Sequence, residues 1–196
     1  MYKFFWYSIW VFFIMKQFLL LIILIFCHQD LVSQQFYTDK GVAKFDGSKA
    51  AFEPIKATNN NSVSIIDSKT GQIAAVILIS QFEFRLGLMQ EHFNENYLES
   101  NVYPKSTFEG NIKDFDVMNL SENVMIHEIT GNLTIKGVEK KISTIAEISK
   151  LDDQIKIKSD FSIMLSDFGV KIPKIVFKKI DEEVKISLNF TYDKKQ

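Results

Sequence analysis

The stretch Val184–Tyr192, VKISLNFTY, decides the fold of this chain. Val184, Ile186, Leu188, Phe190 and Tyr192 face one way, and Lys185, Ser187, Asn189 and Thr191 face the other. An extended chain patterned with a period of two sets one side against an apolar interior and the other in water. The segment before it repeats the pattern. In IKIKSDFSI, Ile155, Ile157, Phe161 and Ile163 lie opposite Lys156, Lys158, Asp160 and Ser162. Further back, Ile142, Ala146 and Ile148 do the same in KISTIAEIS, as do Val63 and Ile65 in SVSIID. Strands are expected at 42–52, 62–67, 71–84, 106–117, 123–135, 138–149, 154–164 and 183–192. Antiparallel strands in that number, each with one wet face, can close into a barrel that leaves no exposed edge. The interior of such a barrel is either filled by side chains or holds one small ligand. The expected class is therefore all-β, an eight-stranded antiparallel barrel with one short helix.

Two segments depart from the pattern. The run Gly71–Phe84, GQIAAVILISQFEF, is apolar on both sides, so its outer face is expected to be covered by another element or a partner. The obvious cover is the one plausible helix, Leu88–Leu98, where Leu88, Met89, His92, Phe93 and Tyr97 recur near the helical period. Pro104 marks the return to extended chain.

The beginning of the chain differs in kind. Trp6, Trp10 and the only cysteine, Cys27, lie there. From Met15 the sequence MKQFLLLIILIFCHQDLVSQ has the layout of a secretory signal: a short positive start, an apolar run and a polar exit, with cleavage expected after Ser33. Residues 1–14 read as an upstream start. Alternatively, the two apolar runs form one membrane span that anchors the protein. Cys27 invites a lipoprotein reading, which the bulky Phe26 before it argues against. The domain proper is expected at 34–196.

Charge and cysteine usage exclude several classes. The chain holds 23 basic and 24 acidic residues, Arg85 is its one arginine, and residues 1–33 contribute only Lys3, Lys16 and Asp30. A near-neutral, arginine-poor domain has no electrostatic footprint for nucleic acid or for an anionic membrane surface. Without a cysteine beyond Cys27, the domain has no disulfide, no thiolate metal site and no thiol nucleophile. His92 and His127 are too isolated for a metal site. His92 either fills the helix face beside Phe93 or donates to a ligand head group, and His127 reads as a strand-face or surface residue. Asp114 and Asp116 read as solvated charges. The sequence lacks a GxSxG elbow, a GxGxxG loop and a P-loop, so an enzyme is not expected and no cofactor is called for.

Two segments carry a family resemblance. LMQEHFNENYLESNVYPKSTFEGNI, Leu88–Ile112, places Met89, His92 and Phe93 before Tyr103, Pro104, Phe108 and Gly110. ITGNLTIKGVEKKI, Ile129–Ile142, holds Gly131, Leu133, Ile135, Gly137 and Lys140. In that order and spacing they resemble the YceI-like family of lipid- and polyisoprenoid-binding proteins, and SDFSIMLSDFGVKIP, Ser159–Pro173, is a weaker third match. The resemblance implies a lipocalin-like barrel, periplasmic or secreted, holding an isoprenoid-type lipid or quinone in its bore as carrier or scavenger. Membrane contact would then arise only through an uncleaved N-terminus or during lipid exchange, and a homodimer is left open.

A long hydrocarbon needs only a dry, continuous apolar tunnel, since burial is worth about 0.8 kcal/mol per methylene. Aromatic and methionine side chains suit such a bore. The candidate lining is Phe82, Phe84, Met89, His92, Phe93, Phe108, Leu133, Ile135, Phe161, Ile163, Phe168, Leu188 and Phe190. The same residues would also build a solid barrel core without a ligand, the interior of a membrane-anchored interaction module. Composition does not separate the two.

Overall fold

The computed structural model describes residues 34–49, 52–173 and 179–195. Nine strands follow one another: β1 (Gln35–Ser48), β2 (Lys56–Asp67), β3 (Gln72–Leu78), β4 (Glu83–Phe84), β5 (Lys105–Ile112), β6 (Met125–Ile135), β7 (Val138–Leu151), β8 (Gln154–Met164) and β9 (Ile180–Lys194). One α-helix, α1 (Gly87–His92), leads into a π-helical turn at Phe93–Tyr97. The spatial order β1-β9-β8-β7-β6-β5-β3-β2 closes on itself through a β1–β2 pairing, and β4 is a short extra strand beside β2. The result is a closed antiparallel barrel of eight strands, as the alternation predicts. The signal-peptide and anchor readings fall on residues 1–33, outside the described residues.

Strand β9 shows why the pattern works. Val184, Phe190 and Tyr192 are buried, and Lys185 and Asn189 between them are exposed. Register is continuous along β8–β9, from Gln154↔Asp193 to Met164↔Glu183. Between β6 and β7 the chain reverses through Lys136 and Gly137, both at positive φ (50° and 74°). That combination is the one a two-residue type I′ hairpin requires, and it matches the twist of the flanking strands.

Several expected boundaries shift. β1 begins at Gln35 and β2 at Lys56, well before the expected starts at 42 and 62. The cause is a pair of bulges. Between Thr38↔Ser64 and Gly41↔Ser62 the extra residue lies in β1, and between Gly41↔Ser62 and Ala43↔Asn59 it lies in β2. Each bulge breaks the period of two and hides the strand from pattern reading. On β2 the reading is reversed: Ser62, Ser64 and Ile66 are buried, while Val63 and Ile65 pair with the outward Val76 and Ala74 of β3. The run 71–84 breaks after Leu78 into a single 3₁₀ turn, Ile79–Gln81. β5 stops at Ile112 rather than 117: Asp114 takes a positive φ of 54°, and Asp116 accepts hydrogen bonds from the Met118 amide and Asn119 Nδ2 at 2.9 and 2.8 Å. Asp116 therefore shapes a turn.

The two ends of the barrel differ. One end is solid: Phe36, Ile66, Ile112, Ile148, Ile155 and Tyr192 pack together, and Leu120, with the partly buried Phe115 and Val117, closes them from the 113–124 loop. His127 lies there too, at 8% exposure, with Nδ1 3.1 Å from the Lys113 carbonyl and its ring edge-on to Phe115. It is buried, which corrects the surface reading. Nor does α1 cover the outer face of β3 as expected. Its side chains turn to the barrel mouth, and Leu78 on that outer face stays 41% exposed.

Candidate functional site

Above the packed end, the bore is open. A cavity of about 530 Å³ runs inward from the end that carries α1, within the range of roughly 300–1,000 Å³ usual for small-molecule sites. Inward residues of β3, β5, β6, β7, β8 and β9 form its wall, because alternate side chains of each strand point to the barrel axis. β1 contributes Ala43 and Phe45.

The mouth is built by the segment 79–98. The 3₁₀ turn is held by the Ile79 amide, which donates to the Pro104 carbonyl at 2.9 Å, and it delivers Phe82 to the interior. β4 then places Phe84 against the same wall. The first turn of α1 forms as the Met89 and Gln90 amides donate to the Leu86 carbonyl. The wide turn after it closes with the Leu98 amide donating to the Phe93 carbonyl at 2.9 Å. Single π turns inside helices are frequent at functional sites. Here the turn carries the Phe93 ring into a four-ring cluster. Phe93 stacks on Phe45 at 5.2 Å and 15° between planes, and meets Phe82 at 5.6 Å and Phe84 at 5.0 Å. Such pairs gain about 0.5–1.5 kcal/mol each beyond simple burial.

All thirteen candidate residues line this cavity: Phe82, Phe84, Met89, His92, Phe93, Phe108, Leu133, Ile135, Phe161, Ile163, Phe168, Leu188 and Phe190. They come from five strands, the helical segment and two 3₁₀ turns, the second at Leu165–Phe168, and the fold brings them together around the bore. His92 stands exposed at the mouth. Several lining residues were not singled out from the sequence. Phe45 lay in an expected strand, and Leu88 and Tyr97 lay on the expected helix face, so their alternation and spacing were available signals. Ile77, Ile79 and Ile186 belong to the same patterns.

Polar groups inside the bore are few, and the deepest are bonded to each other or to backbone. Thr144 Oγ1 and Ser159 Oγ lie 3.0 Å apart, and the Ser159 hydroxyl donates to the Ile145 carbonyl at 2.8 Å. A hydroxyl already bonded to its own wall adds little desolvation cost beside an apolar ligand. Burial raises the Tyr97 phenol above its usual range, so it stays protonated. At the rim, Arg85 pairs with Glu53. The arrangement can take up a flexible apolar molecule, with polar contacts only at the mouth and at the Thr144–Ser159 pair.

Among solved structures, the chain is similar to a polyisoprenoid binding domain from Saccharophagus degradans at 14% identity and a TM-score of 0.71, covering 82% of this chain and 98% of that one. It is also similar to Burkholderia cenocepacia BcnA, at 16% identity and a TM-score of 0.63 over 76% of this chain and 95% of that one. The YceI protein of Campylobacter jejuni matches at 18% identity and a TM-score of 0.61, over 76% and 90%. At these identities the likeness is one of fold. No curated protein matches the sequence. The sequence itself matches the YceI-like domain over residues 34–192, nearly the whole barrel, and the chain therefore belongs to the YceI-like domain family.

Proposed function

We propose that this protein binds a long apolar lipid of the polyisoprenoid or isoprenoid-quinone type inside the barrel and serves as a carrier or scavenger outside the cytoplasm. The observation that carries the reading is the 530 Å³ cavity, whose wall is almost wholly aliphatic and aromatic. A bore of that size which the chain's own side chains do not fill forgoes the contacts of a packed core, so a fold that keeps one has a use for it. The polyisoprenoid-binding character of the Saccharophagus degradans domain, which shares this fold, supports the same ligand class. Binding, and not catalysis, fits a wall that is almost wholly apolar and whose deepest hydroxyls, Thr144 and Ser159, are bonded to each other and to backbone. Placement in the periplasm or outside the cell rests on the signal-like segment from Met15 to Ser33.

Native mass spectrometry of the protein, expressed from the full chain and purified without detergent, tests both parts. The expected result is a polypeptide beginning near Gln34 with a discrete added mass that organic extraction releases as an isoprenoid or quinone. A bare polypeptide that takes up no prenol or quinone on addition would overturn the carrier reading. An intact N-terminus found in the membrane fraction would overturn the cleaved-signal reading.

A further inference from the structure

The cavity does not run the length of the barrel, and what ends it is specific. On β9 its wall stops at Phe190, on β8 at Ile157 and on β7 at Thr144. The next inward side chains, Tyr192, Ile155 and Ala146, are all 0% exposed and belong to the packed end. On β3 the wall ends at Ile73 and on β6 at Ile129, both of the packed end, and two phenyl rings stand at this boundary. Phe190 meets Gly41 of β1 edge-on, so closely that a Cβ on residue 41 would overlap its ring edge at Cδ1 and Cε1. Phe108 lies over a cross-strand glycine pair, Gly110↔Gly131: a Cβ on either would stand 2.7 or 2.6 Å from Phe108 Cζ. In the closed strand order, β1 and β6 are on opposite sides of the barrel. The two rings thus stand against bare backbone on opposite walls at the inner limit of the cavity. Both also pack against the solid end.

A ring seated on glycine cannot fold back into the wall. It has no side chain beneath it to move aside, and the backbone below is already in contact with it. We infer that Phe108 and Phe190 are the specificity-determining residues that fix how long an apolar chain the barrel accepts. The inference rests on the lipid-binding reading above and deepens it: the ligand has a tail of bounded length that ends on these rings. Each methylene moved from water into the bore is worth roughly fourfold in affinity. Affinity should therefore climb steeply with chain length until the tail meets the rings, then level off.

The test is displacement of cis-parinaric acid from delipidated protein by geraniol, farnesol, geranylgeraniol and solanesol. The wild type should show a rise and a plateau along this series. Phe108→Ala and Phe190→Ala, which open the floor, should move the plateau by at least one isoprene unit toward longer prenols. Leu188→Phe adds bulk one inward position above Phe190 and should move it toward shorter ones; it keeps the core filled, so it carries the test if the alanine variants fail to fold. A plateau that stays in place in every folded variant would overturn the inference while leaving lipid binding intact. Failure of all four prenols to displace the probe from the wild type would overturn both.

Discussion

The Tyr192 phenol donates a 2.9 Å hydrogen bond to the Ser64 hydroxyl, joining β9 to β2 across β1 between residues 128 positions apart. The Ser64 hydroxyl donates in turn to the Ala74 carbonyl on β3 at 2.7 Å. Tyr192 is 0% exposed and Ser64 1%. Polar atoms this deep are tolerated only when bonded. The short relay satisfies both hydroxyls and ties three strands, β9, β2 and β3, together beneath the cavity floor.

Tyr192→Phe should cost about 1 kcal/mol, the net worth of an ordinary hydrogen bond. Ser64 keeps its own donation to Ala74, so no buried donor is left without a partner. Urea unfolding at neutral pH measures the loss. A cost of several kcal/mol would mean that the phenol does more than close this relay.

The same residue makes the barrel sensitive to alkali. Burial pushes the Tyr192 phenol far above its usual range, and the bond to Ser64 only partly opposes that. The native state then holds a proton that the unfolded chain releases above about pH 10. Stability from this group is fully present below that pH and falls above it, by roughly 1.4 kcal/mol per pH unit. Unfolding curves at pH 8 and pH 11 should lie closer together for Tyr192→Phe than for the wild type. Equal separations would show that Tyr192 ionises as readily in the native state as in the unfolded one.

Asn59 is the polar centre of the β2 bulge. Its Nδ2 donates to the Leu78 carbonyl at 3.0 Å, and its Oδ1 accepts from the Asn61 amide at 2.9 Å and the Ser62 hydroxyl at 3.3 Å. The residue is 0% exposed. Asn59→Ala strands the buried Ser62 hydroxyl and breaks two bonds to more exposed backbone groups, so about 1–3 kcal/mol should be lost. Thermal unfolding reads it, and a loss below half of this would indicate that the bulge re-forms its bonds without the side chain.

Gly41→Ala tests how firmly the floor ring is seated. The added methyl would collide with the Phe190 ring and lie 2.8 Å from the Ser62 carbonyl. Overpacking of this kind costs about 1–3 kcal/mol. Much of it should be recovered in Gly41→Ala combined with Phe190→Leu, which frees the space the methyl needs. Additive effects in that double-mutant cycle would show that the backbone at Ser62, and not the ring, causes the strain.

The barrel and the thirteen lining residues were legible because both rest on alternation. In β8 and β9 every second side chain from Ile155 and from Val184 onward points inward, and a local pattern is enough to say so. The bulges at Asp39–Lys40 and Asn60–Asn61 were not legible, because an inserted residue reverses the faces and the pattern reads as a break. His127 and the floor were hidden for another reason. Nothing near His127 in sequence shows that the 113–124 loop folds over it, and Phe108 looks like any other inward phenylalanine. Its role depends on Gly131, a cross-strand neighbour. The outward apolar face of β3 shows the limit in reverse: the pattern asked for a cover, and α1 went to the mouth instead.

The last prediction separates a ligand site from an incidental void. Ile77 lies on β3, partly buried, and faces the cavity above the floor. Ile77→Trp places a large ring in space that no side chain fills, so the overpacking cost of a filled core should be largely absent and the melting temperature should move little. A tail that occupies the bore must then give way. Affinity for a prenol that fills the wild-type cavity should fall at least tenfold, about 1.4 kcal/mol. Both native tryptophans, Trp6 and Trp10, precede the barrel, so in protein that begins near Gln34 the introduced indole is the sole tryptophan reporter, and residual binding would quench or shift its fluorescence. Undiminished affinity in a variant of native stability would place the ligand outside the bore.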